Sequence, residues 1–498
     1  MMQYEDTVKR WEVFELRLPC DPDEALYAEA GLRAVFEKGE RQFHADGFYD
    51  GNELLIVRFM PDEEGEWSFH LDGPSLPNGG LKGELLCLPA DTGVHGPVRV
   101  AGATHFAYAD GTTYTPFGTE LSAWHIQNDA SRAKTIRTLQ TSAFNKARMS
   151  LMPNAEYRGP CESVFSPFAA GEGGKLDFDR YDPAYFSRVE ECLQALAQHG
   201  IEAELTLFPA DEAEVQLTPV QEDRYIRYVV SRLAAYHNVW WTIADLGDGT
   251  PGRDKDWRRA FQIVSECDYG QHLRTIHGAP AAYDWGVPWL THISLRHEEV
   301  TIASSFTLQY EKPVILDHCG FEGTGPGKEN ALTPEELVYR IWEGLTRGGY
   351  VTHGESLIGS GETCWSIHGG ELQGESWPRI AFLRKLLSDA PDFLSYNRMR
   401  HDVSTIERQG EYALSYFGAH RCTSRLFAMP SGEFTADLID TWNMKLARLD
   451  QTFQERFVIK LPGKLYYAIR LLRISDGSVT GTFEEQDTEP LLAVGDGD

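Results

Sequence analysis

Between about residues 100 and 395 the chain repeats one rhythm: a short apolar run, a polar turn, then a segment with helical spacing. The apolar runs end near Thr119, Ser150, Phe208, Ile243, His277, Leu295, Leu316 and His353. In YFSRVEECLQALAQHG, Val189, Cys192, Leu193, Leu196 and Ala197 fall at i, i+3, i+4, i+7 and i+8, and Gly200 stops the helix. Eight strands alternating with helices argue for a (β/α)8 TIM barrel. In that fold the chemistry is carried at the C-terminal ends of the strands, so the residues just after each apolar run are where a site is sought.

The flanks read differently. Residues 1–95 hold short alternating runs, among them RWEVFELRL, GLRAVFEKG, ELLIVRFMP and GEWSFHLDG, cut by Gly, Pro and Asp turns, which is the pattern of a β-sandwich. LPADTGVHGPVRVAG reads as the linker to a barrel over 100–395. Residues 401–485 return to short strands and read as a second, smaller β-sandwich, followed by an acidic tail. No long Pro/Ser-rich linker separates the three modules, so the flanking domains are expected to pack on the barrel.

Charge narrows the partners. With 46 Lys plus Arg against 75 Asp plus Glu the net charge is −29, which disfavours nucleic acid and anionic membrane surfaces. MMQYEDTVKRWEVFE has no apolar leader core, and no apolar run is long enough to span a bilayer. Eight scattered cysteines with no CxxC pair suit reduced thiols and a cytoplasmic location. No GxGxxG strand-turn-helix for a nicotinamide cofactor is read, GxxxxGK[ST] and GxSxG motifs are missing, and AWHIQ after the first strand supplies one histidine where a metal hydrolase has HxH. Neither cofactor nor metal is expected; a homo-oligomer is compatible with the sequence.

What gathers at the strand ends is acidic, basic and aromatic: Trp124 and His125, Arg148, Asp245 and Asp248, His277 and Trp285, Asp317, His318 and Glu322, His353 and Glu355. Carboxylates flanking a scissile bond can protonate the leaving oxygen and attack or activate water, and flat rings suit sugar faces. Asp245, Asp248, Asp317, His318, Glu322 and Glu355 are therefore the catalytic candidates. Trp124, His125, Arg148, His277, Trp285, His353 and Trp365 are the substrate-binding candidates, for a glycoside or oligosaccharide.

Several stretches also resemble a known family. WEVFELRL, FHADGFYDG and FMPDEEGEWSF are similar to an N-terminal β-sandwich of unknown function that precedes candidate glycoside hydrolase barrels. HFAYADGTTYTPFGTELSAW, NVWWTIADLGD, KPVILDHCGFEG and THGES resemble the apiosidase-like barrel itself, and YALSYFG, LIDTWNM and LPGKLYYAIRLL its C-terminal β-sandwich. The resemblance implies a glycosidase with one catalytic Glu after strand four and another after strand seven. Here Asp245 stands at the position of the Asn before the first Glu, Leu246 at that Glu, and His318 at the second. Three functional readings follow: a glycosidase with relocated carboxylates, a sugar-cleaving enzyme with His318 oriented by Asp317 as general base, or a degenerate barrel that binds carbohydrate without turnover.

Overall fold

The computed structural model describes residues 2–21, 25–28, 30–51, 53–73, 76–77, 79–152, 166–171, 173, 175–209, 216–247, 257–323, 331–359, 363–399 and 402–474. At its centre eight parallel strands neighbour one another in chain order. They are β1 (Gly118–Glu120), β2 (Lys146–Ser150), β3 (Glu202–Phe208), β4 (Val239–Leu246), β5 (Arg274–Gly278), β6 (Ile293–Arg296), β7 (Val314–His318) and β8 (Tyr350–Val351). The sheet closes where His353 N donates to Gly118 O at 2.8 Å and Glu120 N donates to His353 O at 3.0 Å.

The strands are joined by α1 (Asp129–Thr141), α2 (Pro183–Ala197), α3 (Pro219–Leu233), α4 (Trp257–Cys267), α5 (Ile302–Tyr310) and α6 (Pro334–Thr346), and β8 leads into α7 (Trp365–His368) and α8 (Ser376–Ser388). The alternation breaks once: residues 279–292, between β5 and β6, contain no helix. Helix starts follow from local sequence. Asn128, Asp182 and Thr333 accept backbone N–H bonds at the caps of α1, α2 and α6, and Thr218 with Gln221 forms a capping box on α3. No helix among the described residues is long and apolar enough to cross a membrane.

The barrel's N-terminal end is sealed. Val98–Ala101, His105–Tyr108 and Thr113–Tyr114 make a three-stranded sheet. Its Phe106 and Tyr114 pack with Trp240, Ile315 and Tyr350 into an apolar floor. The stretch expected to be a bare linker thus contributes a strand to this floor, because Val98 and Val100 have apolar surface to bury there.

The N-terminal module has a five-stranded and a three-stranded sheet around Phe14, Phe36, Phe59, Trp67 and Phe69. It is tied to the barrel by buried charge: Arg58 donates to Glu190 Oε1 at 2.6 Å and Oε2 at 3.1 Å, and Arg232 pairs with the same Glu190 and with Asp50. The C-terminal sheet is organised by the 17-residue strand Ser424–Asp440, whose register shift between Ala428 and Glu433 lets one half pair with Phe453–Lys460 and the other with Tyr467–Arg473. Ser404 bonds Glu343 and Thr346 on α6 at 2.8 Å each, which docks this module. Both flanking modules therefore pack on the barrel, as the lack of a long linker suggests.

Candidate active site

Strand parity divides the polar residues into two groups. Successive side chains point to opposite faces of a strand. On β1, Glu120 reaches Arg148 inside the barrel, while its neighbour Thr119 bonds His353 and Trp365 on the helix-facing side.

The inner group is layered. Lys146 on β2 sits between Glu204 on β3 and Asp317 on β7, all with fully buried side chains, and its Nζ lies 2.9 Å from Asp317 Oδ1. Thr242 donates to Glu204 Oε1 at 2.5 Å, and Ser294 and Thr352 donate to Asp317 at 2.6 and 2.7 Å. Burial alone would raise the Asp317 carboxyl, but Lys146, Arg148 and the Ser294 hydroxyl outweigh it and hold it well below the usual carboxylate range. Asp317 is therefore a fixed anion below the mouth of the barrel.

One layer higher, Arg148 donates to Glu120 Oε2 at 3.3 Å and Glu204 Oε1 at 3.2 Å, and its Nη2 lies 3.7 Å from Asp245 Oδ2. Arg296 donates to Asp245 Oδ1 at 2.8 Å. Burial raises the Glu120 carboxyl, Arg148 and the Ser122 hydroxyl oppose this, and the charges of Glu204 and Asp245 add to the rise. Glu120 and Asp245 thus share one guanidinium while their surroundings differ.

His277 on β5 belongs to this layer. Ser294 has one hydroxyl proton and gives it to Asp317, so it accepts from His277 Nδ1 at 2.9 Å. The neutral ring therefore carries its proton on Nδ1, and Nε2 is a bare lone pair with no partner among the described residues. Burial, with Arg148 and Arg296 nearby, keeps this ring neutral. The same causes, burial followed by Arg296 and Arg148, lower His318 to about 4. The oxygens of Asp317 go to Lys146, Ser294 and Thr352, so the histidine that Asp317 orients is His277, through Ser294, and no bond to His318 is among them.

The outer group is Glu322, His353, Glu355 and Trp365. Glu322 and Glu355 face each other across a parallel bridge, and both carboxylates accept backbone N–H bonds from residues 373–376 at the start of α8. Burial raises the Glu355 carboxyl to about 7 against two N–H donors, and Glu322 adds to the rise. The structure does not bring these residues together with Asp245 and His277.

His125 is buried and donates from Nε2 to the Tyr185 hydroxyl at 2.9 Å, since that hydroxyl gives its own proton to Leu151 O. Trp124, Trp285 and Trp365 are each 1% exposed, and the indoles of Trp285 and Trp365 donate to Pro280 O and Thr119 Oγ1. A ring so enclosed offers no open face for sugar stacking; packing has taken all three. Asp248 lies outside the described residues. Glu120, Lys146, Glu204 and Arg296 join the inner group although their strands pointed first to Trp124, Arg148 and the histidines; alternation along GTE, KAR and EAE was the signal for the first three.

Comparison with known proteins agrees with this architecture. The Apiosidase-like catalytic domain matches residues 104–363, and two domains of unknown function match residues 7–72 (DUF5060) and 401–472 (DUF5605). A crystal structure from Bacteroides vulgatus ATCC 8482, described as a candidate glycoside hydrolase, is 31% identical, with 94% of this chain and 100% of that chain covered at a TM-score of 0.86. A glycoside hydrolase family 5 structure from the same organism is 13% identical, covering 78% of this chain and 96% of that one at a TM-score of 0.62. That second likeness is one of fold. No curated protein matches.

Proposed function

Because the chain belongs to the Apiosidase-like catalytic-domain family, we propose that it acts on a glycosidic bond, using Glu120 and Asp245 at the barrel mouth rather than glutamates after β4 and β7. One observation carries this reading. Around Asp245 lie three buried polar atoms with no hydrogen-bond partner among the described residues: Arg148 Nη2, Arg296 Nε and His277 Nε2. Two N–H donors and one lone pair around a carboxylate match a hydroxylated ligand, whose O–H donates to His277 while its oxygens accept from the guanidinium groups.

Roles follow from environment. Glu120, its carboxyl raised by burial, is assigned as the acid that protonates the leaving oxygen; Asp245, paired with Arg296, is the carboxylate that receives a proton from water. A single guanidinium bridges the two carboxyls and holds both at the same rim. His318, which burial, Arg296 and Arg148 lower to about 4, is a neutral ring near pH 7 and can hold a further sugar hydroxyl.

The test is a screen of aryl glycosides and oligosaccharides with the parent chain, Glu120→Gln and Asp245→Asn. Turnover by the parent and a loss of ~10²-fold or more in each variant supports the assignment. Turnover unchanged in both variants refutes it. Calorimetric sugar binding without any turnover would favour a binding barrel instead.

A further inference from the structure

Glu322, His353 and Glu355 lie just beyond the ends of β7 and β8, on their helix-facing side, and are buried, with 3%, 1% and 0% exposure. One ligand atom from each falls within 4.8 Å of the other two. Packing alone explains little of this. Two carboxylates are held side by side with no Lys or Arg bonded to either among the described residues. His353 Nδ1 meets Thr119 Oγ1 at 3.0 Å, and its ring stacks on Phe144 with centroids 4.8 Å apart. Its Nε2 is left buried with no hydrogen-bond partner among the described residues.

From this arrangement we propose that Glu322, His353 and Glu355 form a binding site for one divalent transition-metal ion such as Zn2+. One imidazole and two carboxylates supply three ligands and two negative charges, a set that suits zinc or manganese better than the all-oxygen ions calcium and magnesium. The backbone around the carboxylates is arranged as an outer shell. Glu322 accepts from Glu375 N at 2.7 Å, Ser376 N at 3.1 Å and Ser376 Oγ at 2.5 Å. Glu355 accepts from Gln373 N at 2.7 Å and Gly374 N at 2.9 Å. Both donors from Ser376 fall on Glu322 Oε2, so Glu322 Oε1 and the two oxygens of Glu355 each keep a lone pair after these bonds, and donors of this kind orient metal-binding carboxylates. Gly374 is required by the same packing, since a Cβ there would lie 2.3 Å from Glu322 Oε2. The ion would clamp the ends of β7 and β8 to the start of α8. It sits on the far side of the strands from Asp245, so it takes no part in glycoside chemistry and stands or falls separately from that reading.

The experiment uses the full chain, stripped with EDTA and dialysed, then titrated calorimetrically with zinc chloride, with manganese and calcium chloride in parallel. One saturable zinc site per chain is expected, with zinc bound more tightly than calcium. His353→Gln and Glu355→Gln should each weaken binding by roughly tenfold or more with unchanged circular dichroism. Asp245→Asn should bind zinc as the parent does. No saturable zinc binding, equal affinity for calcium, or unchanged affinity in folded His353→Gln would overturn the proposal. If the variants do not fold, anomalous scattering at the zinc edge from parent crystals decides: a peak among the three side chains supports the site, and its absence refutes it.

Discussion

Glu202 permits a quantitative test of how the barrel interior handles charge. It lies on β3, is 1% exposed, and accepts from Trp240 Nε1 at 2.9 Å through Oε2. Burial pushes its carboxyl up to about 8 from an ordinary 4.5, against the opposing effects of the Trp240 donor and Arg99. A raised acid binds more protons folded than unfolded between those two values, so stability falls as pH rises from 4.5 to about 8. At about 1.4 kcal/mol per pH unit the full loss is about 5 kcal/mol, of which about 3 kcal/mol falls between pH 5 and 7.5. Gln cannot ionise, and its carbonyl can still accept from Trp240. The stability difference between Glu202→Gln and the parent should therefore grow by about 1.4 kcal/mol for each pH unit across that window. Any fixed cost of the new amide moves the offset and leaves the slope alone. Urea unfolding followed by tryptophan emission at several pH values measures it, and parallel profiles for the two proteins would refute the raised carboxyl.

Three further outcomes are expected. Ser294→Ala removes the proton donor to Asp317 and the acceptor for His277, so it should cost about 2–4 kcal/mol and move the His277 Nε2 nitrogen resonance away from the bare lone-pair position; an unchanged resonance would refute the relay. His318, at about 4 folded and 6.5 unfolded, contributes stability that is present above 6.5 and lost as pH falls towards 4. His318→Asn should thus be less acid-sensitive across that range, and an identical acid profile would count against it. Arg58→Ala leaves Glu190 with one guanidinium instead of two and should lower stability by about 3–5 kcal/mol, read as a lower urea midpoint; a change below about 1 kcal/mol would mean the N-terminal module docks without it.

Much of the architecture was legible because its signals are local. Eight apolar runs set eight strands, and caps such as Asn128 and Thr218 set helix starts within one turn. What the strand-end argument could not resolve was the facing of each residue. It gathered Glu322, His353 and Glu355 with Asp245 because all follow strands. Their side chains turn outward, since His353 pairs with Thr119 and Glu355 lies two residues further on the same face. The tryptophans were misleading for another reason. Trp124, Trp285 and Trp365 look like sugar platforms in sequence, but in a barrel that carries charge inside, large apolar rings have few other places to be buried than under its loops and helices.

The exchange of residues at the β4 and β7 ends has a backbone cause that no residue pattern announces. On β4, Thr242 faces inward to Glu204, so strict alternation would also aim Ala244 and Leu246 inward. The pairing of β4 with β5 shifts register between Thr242 and Asp245. Such an irregularity re-aims the side chains beyond it: Asp245 turns in to meet Arg148 and Arg296, and Leu246 joins the apolar core at 2% exposure. On the other side, β6 and β7 shift register between Leu295 and Arg296, which sets Arg296 opposite His318 rather than Asp317. Asp317 then stays below, locked to Lys146, while His318 rises to the level of the guanidinium groups. Leu246 and His318 thus occupy positions where a catalytic glutamate is expected, and the charge such a residue would carry is found one residue earlier on each strand. At β4 that carboxylate still reaches the mouth of the barrel; at β7 it is buried beyond use. On the proposed reading the second carboxylate comes from another strand, Glu120 on β1, which is held by the same Arg148 as Asp245.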